Sequence, residues 1–423
     1  MPKTVAVIGT LDTKGDQLEY LRQLIEARGL QACVIDVGVI GDPLFKPTID
    51  HEQVARAAGL TLEDIITLDD PHAAMKKMAE GAAAIVKDLY TKGKLHGVLA
   101  VGGSMATALA VKVVKALPLG VPKLIITTVA HSASITPDLV GGDDVMILPW
   151  VAGLWGLNSL SKRVLETAAG AISGAAGAFQ REEIPLKKVV GVTSLGGTVN
   201  RYMSRLKPAL EERGHEVAVF HVTGMSGRVF EKAILDGLIT FSLDLAVGVE
   251  LVNEVAKGVG TAGRHRLEAA GKTGIPQIVS PGAFEAFHWG PDRPFPEKYR
   301  ARPHHPHNDL LMVVRSSIEE MGSVGELMAR KLNMAKGPTA VVIPMGGIGQ
   351  VPKPARPDRL SKDRQARAAF REALSDISTE GLEAFRETLM GRIKPEVKVI
   401  TLDAAINDPP YAETVLKLFD VMR

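Results

Sequence analysis

"VAVIGTLDTKGDQLEYLRQLIEARGLQACVID", residues 5–36, reads as a strand, a turn, a helix and a second strand. Val5–Ile8 and Ala32–Ile35 are short apolar runs. Between them Leu18, Leu21, Leu24 and Ile25 recur at three-four spacing, the apolar stripe of a helix. Gly29 is the stop, since glycine accepts the left-handed conformation that closes a helix. A helix crossing between two apolar strands makes the strands parallel and the crossover right-handed. The turn carries Thr10, Asp12, Thr13, Lys14 and Gly15, and the helix is expected from about Asp16.

The same rhythm continues with helices over 71–90 and 104–116 and strands over 96–101 and 123–128. The small-residue stretch "AAGAISGAAGAF", 168–179, predicts a tightly packed or domain-connecting helix, followed by the charged linker "QREEIPLKK". At Val189 the pattern restarts. Shifted by 185, the stretch from Val190 matches the opening unit at about eight positions without a gap. Val5 meets Val190, Thr13 meets Thr198, and Arg28-Gly29 meets Arg213-Gly214. Shared βαβ grammar accounts for several of these matches, so two domains of similar architecture is the firmer reading. Further strands are expected near 243–247, 276–280, 310–314, 340–344 and 397–402. The Pro-rich, basic run "VPKPARPDRLSKDRQAR" reads as an exposed loop. The expectation is an α/β chain of two Rossmann-like or flavodoxin-like domains, residues 1–183 and 184–423. Their sheets are mainly parallel, with helices on both faces.

Composition agrees. The 423 residues exceed one ordinary core. Hydrophobic content of 46% with 23% charged is a soluble globular balance. With 50 Lys plus Arg against 48 Asp plus Glu, no global field favours nucleic acid or an anionic membrane. Cys33 is the single cysteine, which excludes disulfides and cysteine-based zinc sites within one chain. No apolar run approaches the roughly 18 residues of a membrane span, and Pro2, Lys3 and Thr4 lead straight into a strand. The expected location is the cytoplasm.

Ligands of open parallel sheets bind outside the carboxyl ends of strands. Three loops of the first domain fall there: the opening turn, "VGGSMATALA" at 101–110, and "TTVAHSASITPDLVGGDD" at 127–144. Gly102 and Gly103 let backbone amides approach a ligand, and Ser104 opens a helix whose dipole favours an anion such as phosphate. None is a standard nucleotide signature, since "GTLDTKGD" has Lys-Gly where a P-loop has Gly-Lys. Ordinary helix capping by Asp12 or Thr13 is the competing reading. Gly102-Gly103-Ser104-Met105-Ala106 also resembles a nucleophile elbow, with His131 and Asp143 or Asp144 to complete a triad. In the second domain, Ser226-Gly227-Arg228 reads as an anion clamp or as a capped helix start. His304, His305 and His307 in "RPHHPHND" read as a loop with one functional residue rather than a metal site.

The motifs "GTLDTKG" at 9–15, "GGS" at 102–104 with Thr107, "GVPKLIITTVA" at 120–130, "GLN" at 156–158 and "AAGAISG" at 168–174 are similar to those of a known family. So are "VFHVTGMSGR" at 219–228, "RLEAAGKTGIPQIVSPGA" at 266–283, His307-Asn308 and "INDPPYA" at 406–412. Together they make the chain resemble, over essentially its whole length, the Tm-one-like ATP-binding domain family of bacteria and plants. The resemblance implies a Rossmann-like N-terminal domain binding ATP or a related nucleotide, and self-association. The family's "GGSGGT" is here Gly102-Gly103-Ser104-Met105-Ala106-Thr107, its "TVASG" ends in His131-Ser132, and an acid five residues before the Asn of "GLN" is Gly153.

The expected ligand is therefore an ATP-type nucleotide or a small phosphorylated metabolite. Thr10, Thr13, Lys14 and Gly15 would hold a phosphate, and Asp12 a ribose hydroxyl or Mg²⁺ through water. Gly102, Gly103, Ser104 and Thr107 would form the facing nest, with Thr128, Val129, Ala130 and Asp143 completing the set. Three functions follow: a metabolic enzyme with Arg228, Glu285 and His307 facing that nest, a non-catalytic regulatory protein, or a hydrolase using Ser104. Trp150 and Trp155 in "VMILPWVAGLWGLNSL", 145–160, are read either as a homodimer interface or as core residues at a domain hinge.

Overall fold

The computed structural model describes residues 2–132, 135–150, 155–180, 189–196, 201–349 and 379–423. Gly153, the charged linker from 181, Thr198 and the basic run from Val351 lie outside them. The chain divides into two compact units, residues 1–183 and 184–423.

The first unit runs β1 (Thr4–Gly9), α1 (Leu11–Glu26), β2 (Gln31–Asp36), α2 (His51–Ala57), α3 (Leu62–Ile66) and α4 (Pro71–Thr91). It continues with β3 (Gly97–Gly102), α5 (Ser104–Val114), β4 (Lys123–Thr127), α6 (Pro137–Val140), β5 (Met146–Pro149) and α7 (Ser159–Ala178). All five strands are parallel, in the order β2-β1-β3-β4-β5. Successive side chains of β1 part to opposite faces. Val5 and Val7 pack with Leu18, Leu21 and Ile25 of α1 and Leu165 and Ile172 of α7. Ala6 and Ile8 pack with Val54, Met78 and Val113 of α2, α4 and α5. Both faces of the sheet are covered, which is why its strands are apolar without alternation.

Two local expectations change. Helix α1 starts at Leu11 rather than Asp16, with a break at Lys14 (φ −128, ψ 17) that sets Leu11–Thr13 apart as one short turn. Segment 145–160 does not join the units: it holds the edge strand β5 and the start of α7, capped by Asn158 in a reciprocal box with Ser161. Trp150 is 6% exposed in the core beside α1 and α7, whereas Trp155 is 94% exposed, so only Trp150 is a core residue.

The second unit begins β6 (Val189–Ser194), α8 (Met203–Glu212), β7 (Glu216–His221), α9 (Met225–Leu235), β8 (Phe241–Asp244), α10 (Gly248–Ala256), α11 (Ala269–Thr273) and β9 (Gln277–Val279). Then come β10 (Ala286–Trp289), α12 (Glu297–Arg300), β11 (His304–Asn308), β12 (Leu311–Arg315), α13 (Ile318–Leu332) and β13 (Thr339–Pro344). A helix over 379–390 (α14), β14 (Lys398–Leu402) and α15 (Pro409–Met422) complete it. Six parallel strands form one sheet, ordered β14-β13-β9-β8-β6-β7.

Counted from each unit's first strand, both sheets wind 2-1-3-4-5, and the second adds a sixth strand. The opening pairs even share a register. Thr4↔Gln31 becomes Val189↔Glu216, and Gly9↔Asp36 becomes Ser194↔His221, each shifted by the 185 residues of the sequence match. The strand expected near 310–314 is the exception. It is β12, the centre of a separate antiparallel sheet, β10-β12-β11. Asn308 Oδ1 accepts from the Leu310 and Leu311 amides in a turn far too short for a parallel crossover.

Candidate functional site

Strand order in the first unit reverses between β1 and β3, so the loops after them splay apart and leave a crevice. Asp36, buried at the end of β2, ties the loop after β1 to the loop after β2. Its Oδ1 accepts from the Leu11 amide at 3.0 Å and the Gly38 amide at 2.9 Å, and its Oδ2 lies 3.6 Å from His51 Nδ1. Residues 37–50 then fold over the start of α1. A Cβ on Gly41 would stand 2.6 Å from Asp12 Cβ, and one on Gly15 would collide with the side chain of Leu44. Gly15, read from sequence as a ligand contact, is thus buried against the protein's own loop. Gly15→Ala is expected to cost about 1–3 kcal/mol by overpacking, read as a lower urea midpoint. A midpoint unchanged from wild type would show that Leu44 yields freely.

The crevice opens into a cavity of about 290 Å³. Thr10, Asp12 and Thr13 form one wall, and Gly38, Val39 and Ile40 a second. Ile65, Ile66, Asp69, Asp70, Pro71, Ala74 and Met75 of α3 and α4, with Met105 of α5, close it. A neighbouring cavity of about 340 Å³ shares Met75 and Met105 and adds His72, Lys76, Ser104 and Lys112. The first is apolar with three carboxylates; the second is basic. Thr10 and Thr13 hydroxyls bond to each other at 2.5 Å, and Asp12 Oδ1 accepts from the Thr13 amide at 2.8 Å. Lys14 donates from Nζ to the Thr13 carbonyl. Burial holds its pKa below the usual lysine range, against the pull of Asp12.

Of the residues singled out in the sequence, Thr10, Asp12 and Thr13 line the first cavity and Ser104 the second. Gly102, Gly103, Thr107 and Thr128 line neither; they brace the loops. A Cβ on Gly102 would collide with Ala106. Thr107 is buried, its hydroxyl donating to Gly103 O at 2.8 Å and meeting Thr127 Oγ1 at 2.6 Å. The Thr128 amide bonds to Gly102 O, the Val129 amide to Thr127 Oγ1, and Ala130 follows half-buried.

Asp143 and Asp144 lie at the other end of the sheet. Asp144 accepts from Lys123 Nζ at 2.5 Å and from the Gly120 amide at 2.7 Å, before β4 begins. Asp143 Oδ2 and Lys115 Nζ both lie within 4 Å of a Cβ built on Gly141, beyond the last turn of α5. Ser104 follows the carboxyl end of β3, a strand's length of about 13 Å away. His131 is exposed, and among the described residues no hydrogen bond joins it to Ser104. The triad of Ser104, His131 and Asp143 or Asp144 is therefore not assembled.

What sequence reasoning missed is the wall from β2 and α3–α4. Its signals were present: the turn "VGVIGD" at 37–42, and Asp70-Pro71, an N-cap followed by proline at N1.

In the second unit the motif arginine Arg266 serves the core. Its Nε donates to Glu250 Oε2 at 2.5 Å, Nη2 to Asp244 Oδ1 at 2.7 Å, and Nη1 to Glu231 Oε1 at 2.9 Å. Burial alone would lower its pKa, but Asp244 and Glu250, then Glu231, outweigh it and hold it well above the usual range. Burial also pushes Glu250 up, against the pull of Arg266. The two directions oppose one another. The geometry decides for the ionised pair, because Glu250 Oε1 also accepts the Gly224 amide at 2.7 Å. Arg228 donates to Thr261 O at 3.1 Å. Burial raises Glu285 to about 7. Among the described residues, no group of three or more His, Cys, Asp or Glu is arranged to hold a metal, the histidines of β11 included.

The chain belongs to the uncharacterised protein family UPF0261, whose N-terminal domain matches residues 3–182 and whose C-terminal domain matches residues 187–423. A UPF0261 protein of Brucella suis biovar 1 is 38% identical over 98% of this chain and 94% of its own. One from Clostridium tetani is 35% identical over 99% of this chain and 98% of its own. The ToMV resistance protein Tm-1(GCR237) of Solanum lycopersicum is 30% identical over 83% of this chain and 49% of its own. Among solved structures, a UDP-N-acetylglucosamine 2-epimerase aligns at a TM-score of 0.24 and 12% identity, over 66% of this chain and 79% of its own. The glycosyltransferase SnogD of Streptomyces nogalater aligns at 0.21 and 11%, over the whole of both chains. Likeness of that order carries no argument about ligand or reaction. Among the described residues no helix is long and apolar enough to cross a membrane.

Proposed function

We propose that the first unit is a binding module for an ATP-type nucleotide or a closely related phosphorylated metabolite. The observation that carries this reading is the cavity of about 290 Å³ at the β1/β3 reversal, with Thr10, Asp12 and Thr13 on its wall. Its apolar side, with Ile40, Ile66, Met75 and Met105, suits the faces of a base; Asp69 and Asp70 suit ribose hydroxyls or a ring amino group. Three carboxylates disfavour a bare phosphate there. The phosphates would turn toward the start of α5, where Gly103 as N-cap offers no side-chain acceptor to the first amides. Mg²⁺ would arrive on the phosphates, with Asp12 reaching it through water, since magnesium retains most of its waters.

Calorimetry of the purified chain with ATP, with and without Mg²⁺, tests this. Saturable binding at or below millimolar ligand is expected. Met105→Glu, a change at a residue 47% exposed, should weaken binding about tenfold or more by placing a fourth carboxylate on the wall. Asp12→Asn should weaken only the Mg²⁺-dependent part if Asp12 faces the metal, and both parts if it holds a ribose hydroxyl. No heat at millimolar ATP, with circular dichroism unchanged, rules the module out.

Self-association is a second proposal, resting on Trp155, which offers its whole ring to solvent just before α7. A homodimer is expected by light scattering at micromolar concentration, and Trp155→Ala should shift its mass toward the monomer. A mass of about 45 kDa for the wild type excludes it.

A further inference from the structure

The two units treat one edge of their sheets differently. β2 and β7 are equivalent strands, each parallel to the first strand of its unit and in the same register. The Val37 amide donates to Gly9 O, and the Val222 amide to Ser194 O, so equivalent residues turn inward in both. Val34 and Asp36 therefore turn their backbone groups outward from β2, and Val217, Val219 and His221 do so from β7. In the first unit these groups are taken. The Thr48 and Ile49 amides donate to Val34 O, the Val34 amide to Thr48 Oγ1, and the Asp36 amide to Ile49 O. In the second unit only residues 222–224 separate β7 from α9, too few to fold back along the strand. Among the described residues no hydrogen bond reaches the outward groups of Val217, Val219 or His221. Val34 is 1% exposed, and its equivalent Val219 is 48% exposed.

Unpaired N–H and C=O groups along an edge invite another strand, and natural sheets guard against it with proline, lysine, bulges or a covering segment. The other edges here carry such guards. Pro149 faces outward on β5, since the Trp150 amide next to it donates inward to Thr127 O. Pro306 interrupts β11, β14 opens on Lys398, and Val259 bridges to His288 along the outer side of β10. β7, "EVAVFH", has no proline, no lysine and no bulge, and its one carboxylate, Glu216, stands at its first residue.

We propose that two copies of the chain pair through β7, antiparallel about a two-fold axis at Val219, and so join their six-stranded sheets into one. This rests on the self-association proposed above and names the strand where it occurs. A second copy fits because the edge is complementary to itself. With the axis at Val219, outward groups meet outward groups: Val219 faces its own copy, and Val217 faces the partner's His221. Each facing pair exchanges both N–H···O bonds. Val219 loses its exposure against the same residue of the copy. On the other face Ala218 meets the partner's Phe220, small against large, and the two Glu216 carboxylates fall at opposite ends, so no like charges are opposed.

The test uses the full-length chain, with light scattering and amide hydrogen exchange read across a dilution series. In the dimer the Val217, Val219 and His221 amides should exchange at least about tenfold more slowly than after dilution to monomer. Val219→Pro removes only an outward amide, so its circular dichroism should match wild type while its mass falls to about 45 kDa. Val219→Lys, which adds the missing guard, should do the same, and it decides the matter if proline disturbs the strand. The pairing is overturned if both variants remain dimeric, or if those amides exchange alike in monomer and dimer. Fast exchange in both leaves the edge open; slow exchange in both gives it to a segment of the same chain. A wild type that is monomeric at every concentration removes self-association and this pairing together. A dimer lost in Trp155→Ala but kept in both Val219 variants removes the pairing alone.

Discussion

Arg266→Met is expected to destabilise the second unit by about 3–5 kcal/mol, the cost of removing one partner from a buried ion network. Arg266, Asp244 and Glu250 are each 1% exposed. Without the guanidinium, two buried carboxylates and Glu231 face one another uncompensated. Thr193 Oγ1 still donates to Asp244 and the Gly224 amide to Glu250, but neutral donors do not balance two charges. The loss should show as a lower urea midpoint for signals of the second unit, while those of the first stay in place. Adding Asp244→Asn and Glu250→Gln to the variant should recover part of the stability, because the uncompensated charges go with them. Arg266→Met as stable as wild type at pH 7 would mean that the network is solvated, contrary to its burial.

Glu285→Gln should do the reverse, and only at neutral and higher pH. Burial raises the Glu285 carboxyl from the ordinary 4.5 to about 7. The folded state therefore holds a proton that the unfolded chain has released, and stability falls as pH climbs from about 4.5 to about 7. Above that the cost is complete, about 3 kcal/mol at roughly 1.4 kcal/mol per pH unit. Glutamine keeps the shape and cannot ionise. Wild type and variant should have equal urea midpoints near pH 5, and the variant should be the more stable by about that amount at pH 8. An equal gap at both pH values would attribute the effect to packing instead of charge.

The site divides along the same physical line as the fold. Thr10, Asp12 and Thr13 were legible because a strand-to-helix turn in a parallel sheet always faces the binding edge. Gly15 and Thr107 were not. Glycine for a ligand and glycine for a close-packed Leu44 are the same letter, and only the path of residues 37–50 tells them apart. Ser104, His131, Asp143 and Asp144 look like a triad in sequence, yet the two acids lie at the far end of β4 and β5. Order along the chain carries no information about which end of a strand a loop occupies in space until the strands are counted correctly, and β5 was the strand left uncounted.

By itself the sequence determined the local grammar and its repetition. Apolar runs of strand length, helices with an apolar stripe, and a restart at Val189 specify two doubly wound units, because each follows from side-chain periodicity within a few residues. Tertiary structure alone decided which loops meet: the α3–α4 wall opposite Thr10 and the burial of Arg266 among three acids. Those contacts join residues tens of positions apart, such as Leu11 with Asp36 and Arg266 with Asp244. Their energy comes from burial and charge at a distance in the chain, which no local pattern encodes.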